Sequence, residues 1–583
     1  MKTNNEHPLH RLLSHYRGAF LALGVFSFFF NLLVLTMPVY MLAVFSNVLT
    51  GRSEETLLLL TLAATVALLM QGLLDFIRSR ILIRIGVGLD AELTPQVLEV
   101  IVRHAAGSTQ RNAQRLRDAA ELRGLLTSPV IFTLFDAPFV PFYVLVIFLM
   151  HPALGMLALL GSLILLAIAV VNEMITRQPI KDVNASNARA QQRVEEFVRN
   201  ADAIEAMGMM PAVLGQWQAD NQNSLVAQLR GADNASITRS MATFMRTLLQ
   251  VGLYGTGAYY VLHGEIQTGA IIAASILMGR ALAPVESAIG AWKSMVSGKE
   301  SYGRLKEVLS EERMQAYRDR MSLPAPSGRL QIDRITVAAP GSDRLTLKGI
   351  GFNLEAGEFL GVVGPSGAGK TTLAKVMVGI LKPNSGSARL DGVDLASWHP
   401  DELGRHVGYL PQDVQLFAGT VKQNIARLSR QPDADAVLRA ARLVGVHETI
   451  LRFPNGYDTD IGDAGELLSA GQRQHLALAR AVYGDPRLLV LDEPNSNLDT
   501  MAEDALLRAL DEAKKRGITI IVITHRPGIL KSADKLLVLK NGVIDLFGPH
   551  AQVLAQLNNR NEPRKPAHGG QQAQLSVVRG ETS

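Results

Sequence analysis

The chain has 583 residues, of which 48% are hydrophobic, and its mean hydropathy of +0.16 is high for a soluble protein. Its net charge is +5 and it contains no cysteine, which excludes a disulfide framework and any cysteine-based metal site. No stripe of Lys and Arg with interleaved aromatic residues is present, so a nucleic-acid-binding role is not expected. Residues 19–50 carry no Asp, Glu, Lys or Arg, whereas the second half is charged throughout. This split is typical of a chain with one half in lipid.

Four apolar segments are long enough to cross a membrane. A bilayer core about 30 Å thick needs roughly 20 apolar residues in an α-helix, and inside it only helices and closed barrels satisfy every backbone group. The four segments are 19–48, 56–74, 129–150 and 152–172. Two more, 247–262 and 266–279, are short of a full span, and a buried amphipathic hairpin is the alternative for this pair. We therefore predict six transmembrane helices, the first of which is too long for a signal-peptide core of about 7 to 15 residues.

Basic residues indicate which loops lie in the cytoplasm. They flank the first, second and fourth predicted helices on one side: Lys2, Arg11 and Arg17, then Arg78, Arg80 and Arg84, then Arg177 and Lys181. Because positive residues concentrate in cytoplasmic loops, we expect both termini and the long loops 80–128 and 173–240 to be cytoplasmic. The composition of these loops predicts helices that continue out of the membrane. A separate soluble insertion is the alternative.

Four ionisable residues lie in or beside the predicted spans: Asp136, Arg246, Arg280 and Glu286. Ionisable groups at membrane depth mark functional sites, so these residues are candidates for the transport path. For the last three, a position at a helix end facing water is the alternative. Pro138 and Pro141 follow Asp136 closely and are expected to kink the third helix, because proline removes a helical hydrogen bond.

After a Pro- and Gly-containing stretch at 323–329, short β runs alternate with helical segments, which predicts an α/β domain with a largely parallel sheet. Asn541 and Gly542 lie between two such runs and predict a hairpin turn. Another β run, 359–363, leads directly into a stretch that fits G-x-x-x-x-G-K-[ST]. Backbone N–H groups of such a loop, and the helix N-terminus after it, attract phosphate. The residues predicted to bind ATP here are Gly364, Pro365, Ser366, Gly367, Ala368, Gly369, Lys370, Thr371 and Thr372.

A second apolar run, 488–491, carries Asp492 and Glu493 at its end. Ligands bind at the carboxyl ends of strands in open α/β sheets, so both carboxylates are expected beside the phosphate loop. Phosphoryl transfer is catalysed mainly by positioning and charge stabilisation. Asp492 is therefore predicted to hold Mg²⁺ through water, with Thr371 as a direct ligand, and Glu493 to polarise the attacking water.

One further motif and three single positions resemble those of ATP-binding cassette (ABC) proteins. The stretch 468–472, Leu-Ser-Ala-Gly-Gln, resembles the signature sequence, with Ala470 where Gly is usual. Gln412 resembles the glutamine that touches Mg²⁺ and faces the membrane domain, and His525 resembles the histidine that contacts the γ-phosphate. Asp499, at the end of 496–499, resembles the D-loop aspartate. These features follow in family order across 328–555.

The resemblance implies an ATP site that two subunits share. In this family the signature serine and glycine of one subunit cap the ATP held by the other, so one cassette per chain implies a homodimer. Glu493 and His525 are then catalytic, and Gln412 joins Thr371 and Asp492 at Mg²⁺. The residues that the resemblance adds to the ATP site are Gln412, Ser469, Gly471, Gln472 and Asp499. Because Ala470 leaves Ser469 and Gly471 in place, activity is expected to survive that substitution.

The implied fold class is a six-helix transmembrane domain of the type I ABC exporter kind, fused to a cytoplasmic α/β P-loop nucleotide-binding domain. The predicted organisation is a cytoplasmic N-terminal segment at 1–17, the transmembrane domain with its coupling loops at 18–307, a linker at 308–328, the nucleotide-binding domain at 329–557 and a disordered tail at 558–583. One departure concerns adenine. The stretch 335–340 lacks the aromatic residue that family members stack on the base, which leaves two alternatives: loose selectivity for the base, or apolar contact from Val337 and Ala339.

Two stretches indicate the kind of exporter. The run 135–143, Phe-Asp-Ala-Pro-Phe-Val-Pro-Phe-Tyr, and the stretch 492–499 resemble permease-ATPases of bacterial type I secretion systems, which export proteins with C-terminal secretion signals. This resemblance implies a location in the inner membrane. Its expected partners are a periplasmic membrane-fusion adaptor, an outer-membrane channel and a secreted protein cargo. Only 18 residues precede the first helix and cysteine is absent, so no peptidase domain is expected there.

Two alternative functions remain open from the sequence. The same ATP-driven machinery could export a lipid or a small amphiphile, which would need no periplasmic partner. Stimulation of ATP hydrolysis by lipids or drugs, without stimulation by a secretion-signal peptide, would favour that function. A nucleotide-gated channel or sensor is the second alternative, and a Glu493→Gln variant with full function would favour it.

Overall fold

The computed structural model describes residues 8–106, 114–310, 323–339, 344–496, 498 and 500–561. The chain forms two compact units. Described residues up to 310 fall in the first unit, and those from 323 onward fall in the second.

The described part of the first unit is helical. Its α-helices are α1 (Pro8–His15), α2 (Arg17–Leu33), α3 (Thr36–Ala43), α4 (Leu49–Gly51), α5 (Glu54–Ala106), α6 (Gln114–Thr127), α7 (Val130–Asp136), α8 (Val140–Met150), α9 (Pro152–Arg199), α10 (Ala201–Ala206), α11 (Met210–Leu262) and α12 (Thr268–Val308). Helices α5, α6, α9 and α11 occupy most of 80–128 and 173–240, so the prediction of helices continuing from the membrane segments is confirmed. A soluble insertion there is excluded for the described residues.

Five helical stretches of the described chain are long and apolar enough to cross a membrane: Arg17–Gly51, Glu54–Arg103, Val130–Met150, Pro152–Arg199 and Thr268–Val308. They correspond to five of the six predicted spans, within two residues at the start of 129–150 and of 266–279. The remaining one, 247–262, is the end of the 53-residue helix α11, which packs along α9 and α12. A helix of that length extends about 80 Å at 1.5 Å per residue. The predicted segment is therefore part of a continuous long helix rather than half of a short hairpin.

The first predicted span, 19–48, is not one continuous helix. Helix α2 ends at Leu33, α3 begins at Thr36, and Val44–Val48 forms a π-helical turn. Pro38 explains the first interruption, because a proline ring clashes with the carbonyl four residues earlier, here that of Val34. The predicted kink in the third span is confirmed, since a 3₁₀ turn, Ala137–Phe139, separates α7 from α8.

The second unit contains ten strands and nine α-helices in its described residues. The strands are β1 (Leu330–Ala338), β2 (Leu345–Leu354), β3 (Phe359–Val363), β4 (Ser385–Leu390), β5 (Val393–Asp394), β6 (Val407–Leu410), β7 (Leu488–Asp492), β8 (Thr519–Ile523), β9 (Lys535–Lys540) and β10 (Val543–Pro549). The helices are α13 (Lys370–Met377), α14 (Pro400–His406), α15 (Val421–Ile425), α16 (Ala434–Leu443), α17 (His447–Leu451), α18 (Ala470–Val482), α19 (Thr500–Lys515), α20 (Pro527–Leu530) and α21 (His550–Asn561).

A six-stranded sheet forms the centre of this unit, in the order β10-β9-β3-β8-β7-β6. Its strands are parallel except β10, which pairs antiparallel with β9 through the predicted turn at Asn541 and Gly542. Strands β7 and β8 are buried at every position, as expected for parallel strands covered on both faces. The prediction of a largely parallel sheet is confirmed.

A second sheet, of four antiparallel strands in the order β2-β1-β4-β5, was not predicted from the sequence. At the other end of the unit, α21 runs to Asn561. Residues 558–561, which the sequence analysis placed in a disordered tail, therefore belong to a helix. Residues 562–583 and most of the predicted linker lie outside the described residues.

A carboxylate fastens the beginning of this unit. Asp391 accepts hydrogen bonds from the backbone N–H groups of Ser327, Gly328 (3.3 Å) and Arg329 (3.0 Å), and from the Ser327 hydroxyl at 2.6 Å. Partial burial raises the pKa of Asp391, but these hydrogen bonds together outweigh it and lower the pKa below its usual value. A depressed folded-state pKa stabilises the fold above the unfolded-state value, and that contribution disappears as the pH falls through the folded-state pKa.

We therefore expect Asp391→Asn to lower the free energy of unfolding of this unit by about 1 kcal/mol at pH 7. The difference from the unsubstituted protein should vanish at pH values below the depressed pKa. Urea unfolding of the full chain in detergent, followed across pH, measures both effects, with exposed Asp504→Asn as the control. An equal loss at all pH values would contradict this assignment.

Candidate ATP site

Four neighbouring strands bring the predicted catalytic residues to one edge of the central sheet. Strands β3, β8, β7 and β6 lie side by side and are parallel. Their carboxyl ends therefore open on the same edge. The phosphate loop follows β3, His525 follows β8, Glu493 follows β7 and Gln412 follows β6. This is the position at which open α/β sheets bind ligands.

The phosphate loop has the backbone geometry that its glycines permit. Gly367 and Gly369 have φ values of 77° and 99°, and Gly369 directly precedes α13. Gly364 passes so close to the neighbouring strand that a Cβ there would lie 2.1 Å from the Leu539 carbonyl oxygen. Lys370 is buried, and its Nζ donates to the carbonyls of Gly364 at 2.7 Å and of Pro365 at 3.1 Å. The loop therefore encloses its own ammonium group at the start of a helix, an arrangement suited to binding phosphate.

Asp492 and Thr371 offer the oxygen ligands that a hard cation needs. The Asp492 side chain is 1% exposed, and burial raises the pKa of its carboxyl, while a hydrogen bond from Thr371 acts in the opposite direction. Its second oxygen, Oδ2, is buried and accepts no hydrogen bond from the residues that the structure describes. A buried acceptor without a partner beside a hydroxyl fits Mg²⁺, which binds through one or two carboxylates, water and phosphate oxygens.

Glu493 lies between two polar side chains at the same edge. Gln412 Nε2 donates to Glu493 Oε2 at 3.2 Å, and His525 Nε2 lies 4.0 Å from Glu493 Oε1. Glu493 has a φ of 52°, a conformation that is rare outside glycine and recurs at active sites. Its backbone N–H donates to the carbonyl of Ile523 on β8 at 2.9 Å. The neighbouring strand therefore fixes the backbone of Glu493, while Gln412 contacts its carboxylate.

The signature residues occupy a different element, the N-terminus of α18. Ser469 caps this helix: its Oγ accepts from the Gln472 N–H, and the Gln472 side chain accepts from the Ser469 N–H at 2.9 Å. The serine hydroxyl proton remains able to donate, whereas the Gln472 side-chain oxygen serves the cap. Among the described residues, no hydrogen bond joins Ser469, Gly471 or Gln472 to the phosphate loop of the same chain. Ala470 is exposed, and predicted Asp499 lies outside the described residues.

The expected adenine contact from Val337 is wrong. Its side chain is 3% exposed and belongs to the core beneath the antiparallel sheet, where Val337 pairs with Leu347. A residue buried in this way cannot pack against a nucleotide base. Ala339 is partly exposed, and its N–H donates to the Arg344 carbonyl at 2.9 Å.

Three buried polar residues around Glu493 were missed by the sequence analysis: Gln474, Asn495 and Thr524. Gln474 follows the signature by two positions, and Asn495 lies in a stretch used only to indicate a subfamily. Thr524 directly follows the apolar strand β8, which was a signal for that residue, whereas Gln474 lies among other polar residues of α18 and had none. All three make hydrogen bonds to the loop after β7 or to its neighbour after β8.

A separate polar cluster lies in the helical unit. Asp136 Oδ1 accepts from Asn31 Nδ2 at 2.7 Å and from Arg78 Nη2 at 3.0 Å, and Tyr143 donates to Asn31 Oδ1 at 2.8 Å. Arg78, which the sequence analysis treated as a loop cation, is 1% exposed. Its guanidinium is 4.4 Å from the ring centroid of Phe30.

The other predicted intramembrane charges also have defined positions. Arg246 on α11 and Glu286 on α12 form an ion pair at 3.2 Å. Arg280 lines a cavity of about 90 Å³ together with Asp136 and Tyr143. Asp136 is therefore the last residue of α7, whereas Arg246, Arg280 and Glu286 lie within α11 and α12 and not at the ends of these helices.

Apolar helices long enough to span a bilayer, followed by a phosphate-loop ATPase unit, define a multi-pass, ATP-binding transport protein. A family model for the ABC transporter matches residues 347–496, and one for the ABC transporter transmembrane region matches residues 20–284. The type I secretion system ATP-binding protein PrsD of Rhizobium meliloti (strain 1021) is 41% identical over 543 residues, which cover 93% of each chain. The chain belongs to the ABC transporter family, and its ATP hydrolysis is coupled to transport.

Two further comparisons extend this result. The alpha-hemolysin translocation ATP-binding protein HlyB of Escherichia coli is 30% identical over 93% of this chain and 77% of its own length. A solved structure described as a bacterial Atm1-family ABC exporter with ATP bound superposes with a TM-score of 0.80 at 21% identity, and the match covers 95% of this chain and 99% of that one. The structural likeness establishes the exporter fold predicted from the sequence.

Proposed function

We propose that this chain is the ATP-driven exporter subunit of a bacterial type I secretion system, moving unfolded polypeptide with a C-terminal secretion signal out of the cytoplasm. The observation that carries the proposal is the 41% identity to PrsD, a type I secretion ATP-binding protein, over 93% of both chains. The similarity to HlyB, a hemolysin translocation protein, supports the same activity. Both relatives are named for secretion or translocation rather than for a lipid or a drug.

The proposed active form is a homodimer. Ser469 caps α18 and Gly471 lies in its first turn, whereas Lys370, Glu493 and His525 gather at the sheet edge. Among the described residues, no hydrogen bond joins Ser469 or Gly471 to these three residues. A serine hydroxyl and free N–H groups at a helix N-terminus suit a γ-phosphate. A second copy would supply them to each phosphate loop, which makes each subunit's site incomplete without its partner.

The residues at the sheet edge have separate tasks in hydrolysis. Lys370 and the loop N–H groups bind the β- and γ-phosphates, and Glu493, held by Gln412 and the Ile523 carbonyl, orients and polarises the attacking water. His525, close to Glu493, donates toward the γ-phosphate. Mg²⁺, which Thr371 and Asp492 would hold, supplies charge stabilisation for the departing phosphate.

The proposed location is the bacterial inner membrane, with the ATP-binding unit in the cytoplasm. Its proposed partners are a periplasmic membrane-fusion adaptor, an outer-membrane channel and a secreted protein. Crosslinking in native membranes followed by purification through a tag on this chain tests these partners. Recovery of an adaptor, a channel and stalled cargo is the expected result.

Stimulation of ATP hydrolysis tests the cargo class. With the purified chain in proteoliposomes, a synthetic peptide copying the C-terminus of the co-purified cargo should raise the ATPase rate, and a scrambled peptide should not. An ATPase rate raised by lipids or amphiphilic drugs, and not by the peptide, would contradict this proposal and support export of small molecules. Secretion that survives Glu493→Gln at full rate would point to a nucleotide-gated channel.

The absence of cysteine allows a direct test of topology. Glu54 is exposed as the first residue of α5, and Met501 is exposed on α19 of the ATP-binding unit. In intact cells with a permeabilised outer membrane, we expect a membrane-impermeant maleimide to label Glu54→Cys and not Met501→Cys. After the inner membrane is broken, both should react. Labelling of Met501→Cys in intact cells would reverse the proposed orientation.

A further inference from the structure

Gln474 connects the signature helix to the loop that carries Glu493. It lies on α18, five residues after Ser469, and is 1% exposed. Its Nε2 donates to the Pro494 carbonyl at 3.0 Å and approaches the Glu493 carbonyl at 3.4 Å. The side chain thus bridges the capping helix and the backbone of the catalytic residue in the same chain.

The loop after β7 is also fastened on its other side. Asn495 Oδ1 accepts from the Thr524 hydroxyl at 3.0 Å, and the Thr524 hydroxyl accepts from the Arg526 N–H at 3.1 Å. Thr524 and Arg526 flank His525. A continuous set of hydrogen bonds therefore runs from α18 through the loop of Glu493 to the segment of His525.

Gln474 moves together with the N-terminus of α18, in addition to satisfying buried carbonyls. It lies five helical positions after Ser469, a rise of about 7.5 Å, so a displacement of the helix N-terminus also displaces Gln474. Glu493 has a φ of 52°, a conformation that surrounding contacts must maintain. Movement of α18 therefore changes the constraint on the catalytic backbone.

We propose that Gln474 is a positioning residue through which nucleotide held at Ser469 sets the hydrolysis rate at Glu493 of the same chain. This inference rests on the proposed function, because Ser469 then caps the nucleotide of the partner subunit and Glu493 acts on the nucleotide of its own. Occupation of one site activates the other through the α18 contact. The two ATP sites of the dimer are therefore coupled.

Heterodimers with one disabled site test the coupling. Two differently tagged chains are co-expressed, one of them with Lys370→Met, and the mixed dimer is purified through both tags. The Ser469 of the intact chain then faces a site that cannot hold ATP. We expect the ATPase rate of this heterodimer to fall below about one tenth of the homodimer rate, whereas independent sites would give one half.

The ratio of the heterodimer ATPase rate to the homodimer ATPase rate is then measured with Gln474→Met in both chains. This change keeps the side-chain length and removes the N–H donor. The ratio should then return to about one half, because Glu493 no longer depends on the opposite site. A ratio of one half or more without the Gln474 substitution, or an unchanged low ratio with it, overturns the proposal. If Gln474→Met does not fold, Gln474→Leu removes the same donor and gives the same decision.

Thr519→Val is the matched control, because Thr519 is also buried and hydrogen-bonded but lies at the opposite end of β8. It should lose stability and keep the unsubstituted ratio. Binding of a fluorescent ATP analogue should be unchanged by Gln474→Met. Failure of the proposed function would instead appear in the unsubstituted protein, as absent ATP hydrolysis or absent dimerisation with nucleotide.

Discussion

Replacing Glu493 with Gln should lower the ATP hydrolysis rate by about 10²- to 10⁴-fold, the range that a positioned general base contributes. The substituted amide keeps the size of the side chain and still offers an oxygen to Gln412, but it loses the negative charge that polarises water. The phosphate loop is unchanged. ATP should therefore bind with similar affinity, and two chains should remain joined around unhydrolysed nucleotide.

Single-turnover hydrolysis and analytical ultracentrifugation with Mg-ATP measure these two effects. The matched control is Glu512→Gln, a surface glutamate that pairs with Arg516 one helical turn away. Because an exposed ion pair contributes no more than about 0.5 kcal/mol to the free energy of unfolding, this variant should hydrolyse ATP at the unsubstituted rate. A rate within a few-fold of the unsubstituted chain would show that the catalytic carboxylate lies elsewhere.

Asp136→Leu should destabilise the helical unit by about 3–5 kcal/mol, because it leaves the buried guanidinium of Arg78 without a counter-ion. Among the described residues, Asp136 is the carboxylate that pairs with Arg78, whose side chain is 1% exposed and lies against Phe30 and Phe132. Arg78→Met should cost less, since the Asp136 carboxylate keeps its hydrogen bond from Asn31. The double variant should be more stable than Asp136→Leu alone.

Thermal unfolding in detergent of the single and double variants provides this comparison as a double-mutant cycle. Asp220→Leu is the control, because its ion pair with Arg193 is largely exposed and is expected to contribute about 0–1 kcal/mol. Additive effects of the Asp136 and Arg78 substitutions would mean that the two charges do not stabilise each other.

The parts of the site that depend on local sequence were predictable. The phosphate loop, its strand and its helix are adjacent in the chain, and a run of apolar residues before Asp492 identified the neighbouring strand. Pro138 and Pro141 similarly predicted the interruption between α7 and α8, because proline acts on its own turn.

Features that depend on distant residues were not predictable. Arg78 was assigned to a loop because its basic neighbours suggest an exposed segment, yet a partner 58 positions away makes it buried. Val337 was expected at the nucleotide because the register of β1 against β2 is not visible in the sequence. Gln474 belongs to the same group, since its partners are 19 and 20 residues further along.

The length of α11 has a mechanical consequence. Its 53 residues extend about 80 Å, so a bilayer core of about 30 Å leaves roughly 50 Å of lever arm outside it. A sideways push of about 5 Å on the distal end corresponds to a rotation of only about 6° for an arm of that length. Because a rigid helix rotates as one body, a small displacement of the distal end of α11 tilts the whole of its membrane-spanning segment by the same angle.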